Sequence, residues 1–294
     1  MARRNWSLEE TTMAFVLYFL LEPREIDGKT PDIQQLGAAL GRSADAVAMK
    51  INNISANDQN RISQGKVGLP HGSKLDKRIW ELYEERGDEF LSEGIELLTS
   101  TLKRTGSQQP VIYAVISLPE GRERIAEATV RTNQKYFRNS LLDNYQRRCC
   151  LTGLNVPELL AASHIKPWKE SDPKTERLAP SNGLLLNALH DRAFDRGLIT
   201  LSRDFRIVVS SRVRHSDSAD ELLWRYHDAQ IELPRRMRLH RLIGDPSLGR
   251  APMPRLTYSL ICFHIRHSLH QSWIPYDDGE LRVRRRGCTS LASF

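Results

Sequence analysis

Apolar residues in the first hundred positions recur at helical rather than strand spacing. The stretch "NWSLEETTMAFVLYFLL" is so dense in them that the helix it predicts must be largely buried. Ser7, with Glu10 three residues on, forms a capping-box pattern that starts this helix. In "TPDIQQLGAAL", Pro31 suits a first helical turn, and Ile33, Leu36 and Leu40 fall at helical spacing. Gly41-Arg42 stops that helix, Ser43 can cap again, and "ADAVAMKINNI" predicts a third. "KLDKRIWELYEERGDEFLSEGIELLTSTLK" continues as one or two amphipathic helices, with Leu75, Ile79, Leu82, Tyr83, Phe90 and Leu91 on the buried stripe. The polar, proline-terminated "RTGSQQP" (104–110) reads as a linker.

Beyond the linker the pattern becomes mixed. "VIYAVISL" reads as a short strand, and "NQKYFRNSLLDNYQRR" as a helix burying Tyr136, Phe137, Leu141, Leu142 and Tyr145. "CCLTGL" and "LLAASHI" predict short strands, followed by a charged, proline-containing loop over 169–180. Asn182-Gly183 predicts a turn, "LLLNALHDRAF" a helix ended by Gly197, and "LITLS" with "RIVVS" a hairpin around Arg203-Asp204. The expected fold class is α+β. Residues 1–104 are expected to form a helical domain, 105–234 a mixed domain, and 235–294 a basic tail.

Composition narrows the class. The chain has 294 residues, enough for two domains and a sizeable core. The longest apolar run, Met13 to Leu21, is too short to span a membrane, and "MARRNWSLEE" lacks the apolar stretch of a secretory signal. The expectation is a soluble, cytoplasmic protein. Its four cysteines, Cys149, Cys150, Cys262 and Cys288, include no C-x-x-C pair, which argues against structural zinc. The net charge of +7 is unevenly placed. Residues 1–104 hold 14 basic against 16 acidic side chains, residues 105–234 hold 18 against 16, and the last sixty hold 11 against 4. Overall basicity therefore says little about nucleic acid. The Arg-rich tail, with no Lys after Lys174, has three readings: a DNA-contacting arm, a disordered segment, or a shifted reading frame. The last two are favoured.

Two regions carry candidate chemistry. The two short helices around Gly41 have a helix-turn-helix pattern, in which the second helix commonly enters the major groove. Arg42, Lys50, Asn52 and Asn53 have side chains suited to phosphate or base contacts there. The alternative is a three-helix bundle that merely packs. "W-S-L-E-E" and "G-R-S-A-D-A-V" resemble features of Myb-like helix-turn-helix domains. Further on, three polar residues fall at structural joints: His164 ending a strand, Asn182 opening a turn, and His190 within a helix. A single histidine in such a place is more often satisfied in a core than chemically active. The order His, Asn, His changes that balance.

"A-S-H-I-K-P-W", followed by "P-x-N-G-L-L-L-N-A-L-H-D-x-A-F-D-x-G-L-I-T", resembles the HNH endonucleases, specifically a subgroup found in restriction endonucleases. The upstream "N-Q-K-Y-F-R-N-S-L-L-D-N-Y-Q-R-R-C-C-L-T-G" is similar to the segment that introduces the module. The likeness covers about residues 130–212. It implies a ββα-metal fold and metal-dependent hydrolysis of double-stranded DNA, in a restriction or modification-dependent restriction role. It implies His164 as general base, Asn182 as the residue that orients the base and its loop, and His190 as a metal ligand. Ser163 stands where many HNH proteins have an acidic or histidine ligand, so Asp195, or Asp191, is expected to complete the shell of a Mg²⁺ or Mn²⁺ ion. Lys166 and Arg192 are candidate phosphate contacts, and Trp168 a packing anchor. A homodimer is a candidate assembly. The competing reading is a DNA-binding regulator whose nuclease module has decayed.

Overall fold

The computed structural model describes residues 4–66, 72–103 and 124–234. The 104–110 linker, the "VIYAVISL" strand and the tail from Arg235 lie outside the described residues. The N-terminal half is built round α1 (Leu8–Leu20), in which every residue from Thr11 to Leu20 is buried. Ser7 Oγ accepts from Glu10 N at 3.1 Å, and Glu10 returns a carboxylate to Ser7 N at 3.0 Å, closing the expected capping box. Next come α2 (Pro31–Leu40) and α3 (Ala44–Ser55), separated by Gly41 in the left-handed region at φ 63°. A short α4 (Gln59–Ile62) follows, and then α5 (Lys74–Arg86) and α6 (Asp88–Lys103). Gly87, at φ 56°, breaks the charged amphipathic stretch into these two helices. Phe15, Phe19, Trp80 and Tyr83 form an aromatic cluster at the centre of this core. Phe19 stacks on Tyr136 at 4.3 Å.

Tyr136 belongs to α7 (Arg124–Asn144), which carries two successive buried faces. Ala128 and Tyr136 complete the N-terminal core. Phe137, Leu141 and Leu142 open a second core, which continues through the strands that follow. Those strands are β1 (Leu160–His164) and β2 (Gly183–Asn187), an antiparallel pair joined by a long loop. Next are α8 (Ala188–Asp195) and a second hairpin of β3 (Ile199–Leu201) and β4 (Ile207–Val209). A last short helix, α9 (Asp217–Leu222), leads to a turn at Trp224–Tyr226. The fold is α+β, as expected. No helix among the described residues is long and apolar enough to cross a membrane.

Two elements differ from expectation. "CCLTGL" is a turn rather than a strand. Its buried Cys149 Sγ accepts from Thr152 N at 3.4 Å and from Asn187 N at 3.3 Å, tying the turn to the end of β2. Leu184, Leu185 and Leu186, expected in a helix, form β2 and are buried on both faces. The helix begins only at Ala188, capped by Asn187, whose Oδ1 accepts from His190 N at 2.9 Å. The order is therefore strand, loop, strand, helix, closing hairpin.

Candidate active site

His164 owes its position to strand register. It pairs with Gly183 across the β1–β2 ladder, so the two share a face, and that face packs on α7. Gly183 fits only because it lacks a side chain. A Cβ there would lie 2.6 Å from Phe137 Cζ and 2.7 Å from Leu141 Cδ1. The His164 ring lies flat on Phe137, with centroids 4.0 Å apart and planes 12° apart. Trp168 meets it edge-on at 5.6 Å. His164 Nε2 lies 2.9 Å from the Arg177 carbonyl. A carbonyl only accepts, so Nε2 carries the hydrogen and Nδ1 keeps its lone pair. Burial lowers the imidazole pKa, and the Arg177 bond offsets this only in part. A neutral ring with an available lone pair can take a proton from water near pH 7.

Asn182 is fully buried and fastens the loop between the strands. Its Oδ1 accepts from Lys166 N at 2.7 Å, and its Nδ2 donates to Ser171 Oγ at 3.0 Å and to the Lys166 carbonyl at 3.2 Å. Its own carbonyl accepts from Ile165 N. These bonds fix the chain on both sides of Ile165 next to His164. Arg177 closes the loop, donating from Nε to the Trp168 and Ser171 carbonyls with its guanidinium 5.3 Å from the Trp168 ring centroid. Trp168 is thus the packing anchor expected of it.

The neighbouring residue points the other way. Alternation along β1 turns Ser163 towards α8, where its Oγ donates to Asp191 Oδ1 at 2.6 Å, with both residues buried. His190, only 3% exposed, directs Nε2 to the Leu222 carbonyl at 3.0 Å, and Tyr226 meets its ring edge-on at 5.0 Å. The donor is again Nε2–H, and Nδ1 is buried without a hydrogen-bond partner among the described residues. Burial lowers this pKa as well, and the Leu222 bond acts in opposition. Asp195 is exposed, and five residues along a helix put it about 140° round from His190. Thus His164, Lys166 and Asn182 are brought together at one end of the hairpin. No hydrogen bond or ring contact joins His190 to them among the described residues.

The candidate DNA-contacting cations divide in two. Arg192 is exposed, and Lys166 is half-buried with Nζ 2.6 Å from Glu176. Arg42 and Lys50 instead serve the fold, which corrects the expectation for them. Arg42 stacks 4.1 Å from the Trp6 ring centroid and pairs with Glu10 at 2.7 Å. Lys50 is 4% exposed and pairs with fully buried Asp76 at 2.6 Å. The outer face of α3 shows Asp45 and Met49 instead.

Residues 149–202 match the family model described as HNH endonuclease. The chain carries an HNH endonuclease domain. Such a domain marks a nuclease, a hydrolase acting on nucleic acid. No curated protein matches the chain. HNH nucleases are generally dependent on a divalent metal ion, and His190 fits that need. Its Nε2–H is held by a carbonyl, and its orphaned Nδ1 offers the neutral nitrogen that metal-binding histidines present. The fit goes no further, because no group of three His, Cys, Asp or Glu side chains able to hold a metal occurs among the described residues. Asp195 is not part of any such group. Sequence reading placed Phe137 in a buried helix face but not beneath His164, and it missed Arg177, Ser171, Leu222 and Tyr226. All of them act through tertiary contacts, and Leu222 and Arg177 do so through carbonyls that no residue type announces.

Proposed function

We propose that the protein is a metal-dependent DNA endonuclease working in restriction or modification-dependent restriction, with the cytoplasm as its site of action. The observation that carries this reading is His164, a neutral imidazole with Nε2–H fixed by the Arg177 carbonyl and its ring clamped on Phe137. In this reading Nδ1 of His164 takes a proton from a water. The resulting hydroxide attacks phosphorus, the P–O bond to the 3′ oxygen breaks, and that oxygen leaves with a proton drawn from solvent. Asn182 holds the loop that aims His164. Lys166 and Arg192 steer double-stranded DNA by its phosphates. A Mg²⁺ or Mn²⁺ ion, held by His190 Nδ1 and otherwise largely hydrated, would neutralise charge building on the phosphate.

Plasmid incubated with Mg²⁺, with and without chelator, tests the reading. Cleavage is expected only with the ion. His164→Ala should reduce it by about 10²–10⁴-fold while DNA binding and the far-ultraviolet spectrum are retained. His190→Ala should weaken dependence on the ion. Undiminished cleavage by His164→Ala would sink the assignment. Absence of nicking under any divalent ion favours a DNA-binding regulator, which the Ser163–Asp191 pairing would then explain.

A further inference from the structure

The segment after β4, outside the matched HNH region, reaches back to the site. Val209 N donates to His227 Nδ1 at 3.1 Å, Asp228 N to the Ile207 carbonyl at 2.8 Å, and Ile207 N to the Ala229 carbonyl at 2.9 Å. These three bonds moor residues 227–229 to β4. Upstream of them, Ser216 caps α9, its Oγ accepting from Ala219 N at 3.2 Å. His215 stacks on Trp224 at 4.4 Å, closing the segment on itself. Between these fastenings, Leu222 and Tyr226 touch His190. The Leu222 carbonyl, at the last residue of α9, accepts from Nε2, and the Tyr226 ring abuts the imidazole.

We propose that residues 216–226 form a strap that sets the tautomer of His190 and so prepares its Nδ1 to receive a divalent cation. The logic is one of donors and acceptors. A neutral imidazole carries one N–H, and a carbonyl can only accept it. With Nε2–H committed to Leu222, Nδ1 must carry the lone pair. Among the described residues it is buried without a hydrogen-bond partner, whereas His190 N and Nε2 are both bonded. Were the strap absent, the two tautomers would compete, and the Nδ1–H form cannot bind a cation through that atom. Leu222 and Tyr226 are therefore positioning residues, and they act on the site from beyond residue 202. The inference rests on the metal reading above.

The test uses the full chain with ¹⁵N-labelled histidine. Long-range ¹H–¹⁵N correlation spectra distinguish the two tautomers, and His190→Gln identifies the resonance. Metal-free protein should show His190 as Nε2–H. Ser216→Ala, which loosens α9, and Tyr226→Ala, which removes the ring contact, should each shift the signal towards a tautomer mixture. Both should weaken Mn²⁺ binding, read from paramagnetic broadening of that resonance, by about 10–100-fold, and Tyr226→Phe should restore it. An Nδ1–H tautomer in the wild-type chain overturns the proposal. So does an unaltered Nε2–H signal in both variants. Mn²⁺ that leaves the His190 resonance untouched overturns the metal reading instead, on which the metal-free tautomer does not depend.

Discussion

Lys50 shows how one residue's chemistry and its position can point in opposite directions. By type it suits a phosphate. By spacing it falls three residues after Val47 and four before Ile54, on the stripe that α3 buries. Position prevails because Asp76 pays for the burial. That carboxylate caps α5 through Ser73 N at 2.6 Å and meets the Lys50 ammonium on its other oxygen. Removing one partner strands the other charge in the core. Lys50→Ala should therefore cost about 3 kcal/mol of folding free energy, seen as a lower midpoint in urea. The DNA affinity of the folded fraction should stay within twofold. A large loss of affinity at undiminished stability would return Lys50 to the DNA surface. The signal was present in the spacing. By contrast, nothing in "AASHIKPW" could have shown that His164 lies on Phe137, 27 positions upstream, since that contact exists only once the hairpin packs on α7.

At the scale of elements, the helices were legible and the β1–β2 hairpin only half so. Capping boxes, glycine stops and apolar stripes are local signals, and α1, α2 and α3 begin and end close to where those signals lie. "GLLLN" carries no such signal, because a short run buried on both faces fits a strand or a buried helix equally. What decides is packing. The run lies between α7 and α8, and Asn187 reserves the helix start for itself. Gly183 is the tightest point. Its backbone, at φ −137° and ψ 148°, suits any residue, so alanine there is opposed by contact alone. Gly183→Ala should wedge β2 away from Phe137 and Leu141, costing about 1–3 kcal/mol and separating Phe137 from His164. A thermal melt gives the first effect. Loss of the ring-current shift on the His164 imidazole protons gives the second. An unchanged shift would mean that the stack does not depend on this close approach.

Taken over the whole molecule, these buried groups give stability a definite pH dependence. His164 and His190 both titrate lower in the folded chain than when unfolded, chiefly because burial disfavours the imidazolium. Between the unfolded value, about 6.5, and the lowered folded values, the unfolded chain binds more protons. Stability from this source is therefore complete above about pH 6.5 and is lost as pH falls through the folded values. Asp58 acts in the opposite sense. Burial raises its pKa beyond what the bonds from Tyr18 and Tyr136 offset, so its contribution improves on acidification. With Asp58→Asn removing that opposing group, the urea midpoint should fall steadily between pH 7 and 5. His164→Gln and His190→Gln should each flatten that slope, since neither amide titrates. A midpoint that holds level or rises over the same range would show that neither imidazole is kept neutral by the fold. The base assigned to His164 would then lose its physical footing along with the stability argument, because both depend on the same burial against Phe137.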